Sequence, residues 1–361
     1  MSPTVHVPTR LRSSATPATV STDIAGLPDL PVIDWAAVGL SPPAPAAATA
    51  SPPSADVVLI TWTGAEWAAL HHVFCAGDTP LPYAQRHPAN LPGWQRYADQ
   101  LPTGGPADWT FWGLYRTVTF AGRTVLLVKS NTHLDWPGGT YLQAMVRRLI
   151  DATTPHLIVS VGTAGGARVA DHVGTVYATD AATLYRSGRP QSQWPTTRST
   201  WTAATAVLDD PAFAGLLRPV PTRPADLETL RQQFNSAHGT DLAMTDLDPD
   251  GLNSGDPTPR VSNQTPGGAG LLTTSTFVVG TTTGTFADFT CIEMDDAILA
   301  QSCAAAGVPF GSVRNLSDPV QNADLPVRFQ SAWGSLIYTT YGLYTSYNGA
   351  LAAAATLAGP A

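Results

Sequence analysis

Four apolar runs in this chain end in side chains able to do chemistry. VVLITW (57–62) leads to Glu66, and HLIVSVG (156–162) runs into Thr163-Ala164-Gly165-Gly166. FTCIEM (289–294) brings Glu293 and Met294 up to Asp295 and Asp296, and VPFGSVRN (308–315) leads to Ser317, Asp318 and Pro319. Each run reads as a strand, and in an open α/β sheet ligands bind beyond the carboxyl ends of strands. Three separate carboxylate positions there suit acid–base work, since an Asp or Glu beside a phosphate would repel it. The glycines after Val161 let backbone approach a ligand closely.

The elements that must position these residues follow from periodicity. After the VVLITW strand, GAEWAALHHVF has helical spacing at Trp67, Leu70 and Phe74. WTFWGLYRTVTF and RTVLLVKS form a strand pair joined at Ala121–Gly122, and 140–150 is helical through Leu142, Met145, Val146 and Leu149. HLIVSVG is a buried strand ending in a glycine-rich turn, and TVYATDAATLY is one further strand. From about 186 to 269 the pattern dissolves into Pro, Gly, Asp and Thr, with one helical stretch near 225–234. This reads as an insertion, a lid or an oligomer contact. The core resumes at Leu271 with LLTTSTFVVG, then the strand FTCIEM, the helix DDAILAQSCAAAG and the strand VPFGSVRNLSD. Pro326 suits the start of a long final helix. The expected fold class is α/β: one domain, 55–361, with a mixed β-sheet flanked by helices and a long insertion. Residues 1–54, rich in Pro, Ala, Ser and Thr, read as a disordered extension in which only LPVIDWAAVGL could dock on the domain.

Bulk composition excludes several functions. Of 361 residues 43% are hydrophobic, enough for a sizeable core, while only 13% are charged, so Thr, Ser, Asn and Gln must supply much of the polar surface. A net charge of −8 speaks against nucleic acid as a partner, which calls for excess Lys and Arg. No apolar run is long enough to span a membrane, and MSPTVHVPTRLRSS lacks the apolar stretch of a secretory signal. A cytoplasmic protein is the expectation. Cys75, Cys291 and Cys303 lack metal-type spacing and read as reduced thiols. His71 and His72 have no spaced partner for a metal, and a lone His133 in KSNTHLDW is more readily structural. Neither a metal nor a cofactor is expected.

Taken together, GTAGG after a strand, EMD at a strand-to-helix junction and VPFGSVRNLSDP resemble the nucleoside phosphorylase and nucleosidase superfamily. Its pattern is a GSAGG-like turn, a strand ending in EME and a strand ending in RxxSD. The resemblance covers roughly 55–185 and 270–360, and in its motifs it is nearest to methylthioadenosine/S-adenosylhomocysteine nucleosidases. It implies a nucleoside phosphorylase-like sheet, cleavage of the N-glycosidic bond of a purine (adenine-type) nucleoside, and a homodimer or higher homo-oligomer. It implies Asp318 as the acid that protonates the purine and Ser317 as the residue that orients it. Thr163 would lie beside the reacting sugar carbon, Phe277 would stack on the base, Met294 and Asp295 would hold the ribose, and Ala164, Gly165 and Glu293 would also bind the substrate. Asp295 stands where the family has Glu, one methylene longer, which puts ribose binding or substrate identity in question.

Water and phosphate remain rival nucleophiles. A phosphorylase needs arginines or an amide nest for a phosphate dianion. The Gly-Asp-Pro-x-Arg loop and the arginine before the glycine turn, both found in bacterial relatives, are absent; the chain has Thr61-Trp62-Thr63-Gly64-Ala65-Glu66 and Ser160 there. Glu66, early in the first helix, resembles the nucleosidase residue that positions water. Hydrolysis is favoured, provided Arg116, Arg168 and Arg314 do not converge on the site. Phosphorolysis, cleavage of a nucleotide or dinucleotide, and non-catalytic nucleoside binding on the same scaffold stay open.

Overall fold

A computed structural model describes residues 5–6, 24–203, 205–249, 252, 261–263, 268–274, 277–278 and 281–358, with backbone alone at 5–6, 205–206, 262–263, 277–278 and 281. Ten strands organise it: β1 (Val57–Thr61), β2 (Gly113–Phe120), β3 (Arg123–Ser130), β4 (Leu157–Gly166), β5 (Val176–Thr179), β6 (Ala181–Leu184), β7 (Thr196–Arg198), β8 (Leu271–Thr273), β9 (Cys291–Glu293) and β10 (Phe310–Asp318). The main helices are α1 (Gly64–Cys75), α2 (Gly139–Thr153), α3 (Pro224–His238), α4 (Asp296–Ala306) and α5 (Val327–Ala358). Along the sheet the order is β7-β6-β8-β9-β4-β1-β3-β2, and β10 pairs with both β4 and β5. The centre is parallel, β3-β1-β4-β10, while β2, β5 and β7 add antiparallel pairings, so the sheet is mixed as expected.

Strand β1 shows why its sequence is uninterrupted apolar. All five residues are buried, because both faces of the sheet are covered. Val57 and Leu59 join the core shared with α1 and α5, whereas Val58 and Ile60 join the core shared with α2 and α4. The two-residue period of the strand thus feeds two helical layers. The expected strand TVYATDAATLY breaks at Asp180 into β5, which pairs with β10, and β6, which pairs with β7 and β8.

The expectation of a disordered first segment needs correction where the structure describes it. From Ile24 onward the first 54 residues are packed and not loose: Ile24, Leu27, Leu30, Ile33 and Trp35 are buried in the α1–α5 core. The backbones of Leu30 and Leu81 exchange hydrogen bonds of 2.9 and 3.0 Å, Tyr344 donates its hydroxyl to the Pro28 carbonyl, and the Trp35 ring lies 5.4 Å from Phe120. Prolines set an extended path, and the apolar residues spaced along it supply the burial that an overall composition count hides. Described parts of the 186–269 segment also reach the core. Its helix α3 buries Leu227, Leu230 and Phe234, with the Phe234 ring 5.9 Å from Trp333 of α5, and Val261–Asn263 extends the sheet beside β5.

Truncating Trp35 to Ala should therefore destabilise the protein by about 3–5 kcal/mol, read as a lower urea midpoint. A midpoint equal to the parent's would show that the segment contributes nothing to the fold.

Candidate active site

The chemistry-bearing residues gather where β4 and β10 run side by side. The glycine motif is not a turn. Strand β4 continues extended through Gly166, and Gly162, Gly165 and Gly166 all lack the positive φ that a turn would demand. They are glycines because neighbouring side chains lie across them. A Cβ on Gly162 would sit 2.6 Å from Arg314 Nη1, 3.0 Å from Trp62 and 3.1 Å from Glu66 Oε1, and one on Gly165 would sit 2.9 Å from Asp318 Oδ2. Pairing of β10 with β4 is regular from Phe310–Ile158 to Leu316–Ala164; a bulge at Ser317 then brings Asp318, not Ser317, opposite Gly165. Such a bulge re-aims a side chain at the end of a ladder. Ser317 donates its hydroxyl to Asp318 Oδ1 at 2.9 Å. Burial pushes the Asp318 carboxyl up to about 7, and the Ser317 bond pulls only partly the other way.

Glu66 closes the opposite end of the glycine motif. Thr63 caps α1 and Glu66 is the third helical residue, the capping-box position. Its Oε2 accepts from the amides of Trp62 (2.7 Å) and Thr63 (2.9 Å) and from the Thr61 hydroxyl (3.1 Å). Its Oε1 accepts from the Thr163 amide (2.7 Å) and hydroxyl (2.6 Å). The carboxylate is 3% exposed, so its orientation is fixed by donors on three elements. Strand β4 therefore carries a carboxylate at each end of Gly162–Gly165: Glu66 on Thr163 and Asp318 on Gly165.

Arg314 lies below the site and not in it. Its guanidinium, 2% exposed, donates to both oxygens of Asp296, to Glu293 Oε2 (3.1 Å), to the Ser160 hydroxyl (2.9 Å) and to the Thr163 carbonyl (3.1 Å). Arg168 pairs with Asp171 and the Tyr177 hydroxyl, and Arg116 donates to the Pro92 carbonyl beside Gly93. Among the described residues none of the three donates to the Thr163 hydroxyl or to Asp318; Arg314 reaches Thr163 only at its backbone carbonyl. The role expected for Glu293 is corrected on the same grounds. One oxygen accepts from the amides of Asp295 (2.6 Å) and Asp296 (3.0 Å) at the start of α4 and from Arg314; the other accepts from the Thr273 hydroxyl. Burial, then the neighbouring Asp296 charge, pushes its carboxyl well above the usual range. Glu293 caps a helix and braces an arginine, so its oxygens are not offered to a sugar.

Asp295 too has both oxygens engaged. Oδ1 accepts from the Leu134 amide (2.8 Å) and Oδ2 lies 3.2 Å from His133 Nδ1. Each oxygen thus has one partner within the chain, and the carboxylate is held between the His133 segment and the start of α4. Met294 is half-buried beside it, and the side chain of Phe277 lies outside the described residues, its backbone pairing with Val5–His6. Among the described residues no cluster of His, Cys, Asp and Glu has a geometry that would hold a metal.

Two groups at the site were not anticipated. Lys129, at the end of β3, donates to the Ser130 carbonyl at 2.7 Å; burial lowers its ammonium to about 8, with Glu66 and Asp295 pulling it back up. A lysine closing the apolar run RTVLLV was the available signal. Tyr338 of α5 lies beside Thr63, Ala65, Glu66 and Asp318, and burial, followed by the Glu66 charge, raises its phenol. Nothing in the aromatic-rich pattern of α5 singled it out.

A family model described as the phosphorylase superfamily matches residues 112–332. Among solved structures, 5′-methylthioadenosine/S-adenosylhomocysteine nucleosidase from Neisseria meningitidis in complex with methylthio-immucillin-A is 13% identical, with 84% of this chain and 98% of that chain covered and a TM-score of 0.46. The S. pneumoniae enzyme of the same name, with a transition-state inhibitor, is 17% identical over 84% and 98%, with a TM-score of 0.45. Futalosine hydrolase of Helicobacter pylori is 9% identical over 83% and 96%, with a TM-score of 0.45. No curated protein matches the chain.

Replacing Arg314 by Met leaves Glu293 and Asp296 buried against each other. The expected loss is about 3–5 kcal/mol of folding free energy, and Arg314→Lys should not restore it, because an ammonium lacks the planar fork. A urea denaturation curve unmoved by Arg314→Met would refute the role given to this cation.

Proposed function

The chain belongs to the phosphorylase superfamily, and from that membership we propose that it is an N-glycosidase that hydrolyses a purine nucleoside of the adenine type. The observation that carries the reading is the Asp318 carboxyl, held near 7 by burial and positioned by Ser317 opposite Gly165. A carboxyl with that pKa holds its proton over a useful fraction of molecules at neutral pH and can give it up to a leaving group. In the proposed reaction Asp318 protonates N7 of the base as the bond from the base nitrogen to C1′ breaks, and the bonding electrons leave with the base. Water then adds to the electron-poor C1′. Thr163 binds that water through its hydroxyl oxygen and passes a proton to Glu66 Oε1, to which it already donates. The products are the free base and the free sugar; Glu66 then releases its proton to solvent, and solvent reprotonates Asp318. Ala164 and Gly165 border the base, and Met294 packs against the sugar.

The choice of water over phosphate rests on charge. A phosphate dianion at Thr163 would lie against the Glu66 carboxylate, while Arg314 is already shared between Asp296 and Glu293. Phosphate would gain little from a guanidinium so engaged.

Incubation with a panel of purine nucleosides should release free base at equal rates with and without phosphate. Absence of release under both conditions would overturn the reading, and release only with phosphate would replace it by phosphorolysis. Asp318→Asn should cut kcat by roughly 10²–10⁴-fold with circular dichroism unchanged. Because the protonated acid is the active form, kcat/KM should fall as pH rises through about 7. A profile flat from pH 6 to 9 would remove Asp318 from the acid role.

A further inference from the structure

His133 stands on the segment that covers Asp295, and its surroundings are those of an oriented functional group. Nδ1 faces Asp295 Oδ2 at 3.2 Å, so Asp295 holds the tautomer with the proton on Nδ1. The Leu134 amide fixes the other Asp295 oxygen at 2.8 Å, which ties the segment to the start of α4. The imidazole packs on Trp62 with ring centres 5.7 Å apart, and Trp62 in turn lies against Gly162, whose added Cβ would meet it at 3.0 Å and Glu66 Oε1 at 3.1 Å. One indole ring therefore separates His133 from the Glu66–Thr163 pair. The side chain is 23% exposed against 6% for Asp295, so the imidazole, and not the carboxylate, is open to a ligand. In this tautomer Nε2 is an acceptor, and no hydrogen bond from a described residue engages it.

We propose that His133 Nε2 accepts a hydrogen bond from the sugar hydroxyl next to the reacting carbon, with Asp295 as its positioning residue. This rests on the glycosidase reading above and names the part of the substrate that the site selects: a ribonucleoside in preference to its 2′-deoxy counterpart. The Asp–His pair does together what a single carboxylate reaching the sugar would do alone. A bond from that hydroxyl gains strength as C1′ becomes electron-poor, because the acceptor draws on the proton and raises electron density at the oxygen. Its contribution therefore falls on kcat more than on KM. Asp295→Asn turns the acceptor facing Nδ1 into a group able to donate to it. That favours the tautomer with the proton on Nε2, which can no longer accept from a hydroxyl.

The test compares kcat and KM for adenosine and 2′-deoxyadenosine in the parent, His133→Ala, His133→Gln and Asp295→Asn. The parent should prefer the ribonucleoside. His133→Ala and Asp295→Asn should each reduce that preference by about tenfold or more, mainly through kcat. His133→Gln, whose amide oxygen can accept, should recover part of it. A ribo-to-deoxy ratio in His133→Ala equal to the parent's, with base still released, overturns this inference and leaves the glycosidase reading intact. No base release by the parent from any nucleoside overturns both.

Discussion

A charge cannot leave water without partners, and Arg314 has left water almost completely. Its five N–H groups find two carboxylates, a hydroxyl and a carbonyl, which belong to α4, β9 and β4. The arginine itself sits on β10. One guanidinium thus joins two strands of the parallel centre to the strand and helix that present Met294 and Asp295. It also explains Gly162, since no Cβ fits between β4 and the Arg314 nitrogen. Glu66 then meets Thr163 on the same strand. The spacing of the candidate site follows from this buried ion cluster more than from any loop.

Four acidic side chains near that cluster have four different fates. Asp296 has Arg314. Glu293 shares the arginine but pays for its burial and its proximity to Asp296 by holding its proton more tightly. Asp295 is given a histidine and an amide. Asp318, with a serine hydroxyl as its one hydrogen-bond donor among the described residues, is raised by burial to about 7. The division of labour is one of environment, since three of these four are the same residue type.

Much of the frame was legible. The order of strands and helices, the long final helix and the mixed sheet followed from periodicity, and the pairing of Ser317 with Asp318 was visible as adjacent residues. The glycine motif was found but misread, because a run of glycines looks the same whether it bends the chain or makes room for Arg314 and Asp318. The surroundings of Glu293 and Asp295 were not legible: their neighbours His133, Leu134 and Thr273 lie far away in the chain, and no local pattern reveals such contacts. The packed N-terminal segment was hidden for a different reason. Proline and alanine dominate any window there, whereas burial depends on single residues such as Leu30 and Trp35. Lys129 and Tyr338 became notable only once β3 and α5 were seen to converge on Glu66.

The bulge at Ser317 gives β10 a change of parity. Upstream, even and odd residues divide between the two faces of the sheet by one rule; beyond it the rule is inverted. Removing Ser317 would bring the parity back and still leave Asp318 opposite Gly165, but without the hydroxyl that donates to it. The extra residue therefore leaves the partner of Gly165 as it is and adds a donor beside it. A comparison of relatives that tolerates a one-residue gap near this position would align the motif while losing the feature that makes it a site.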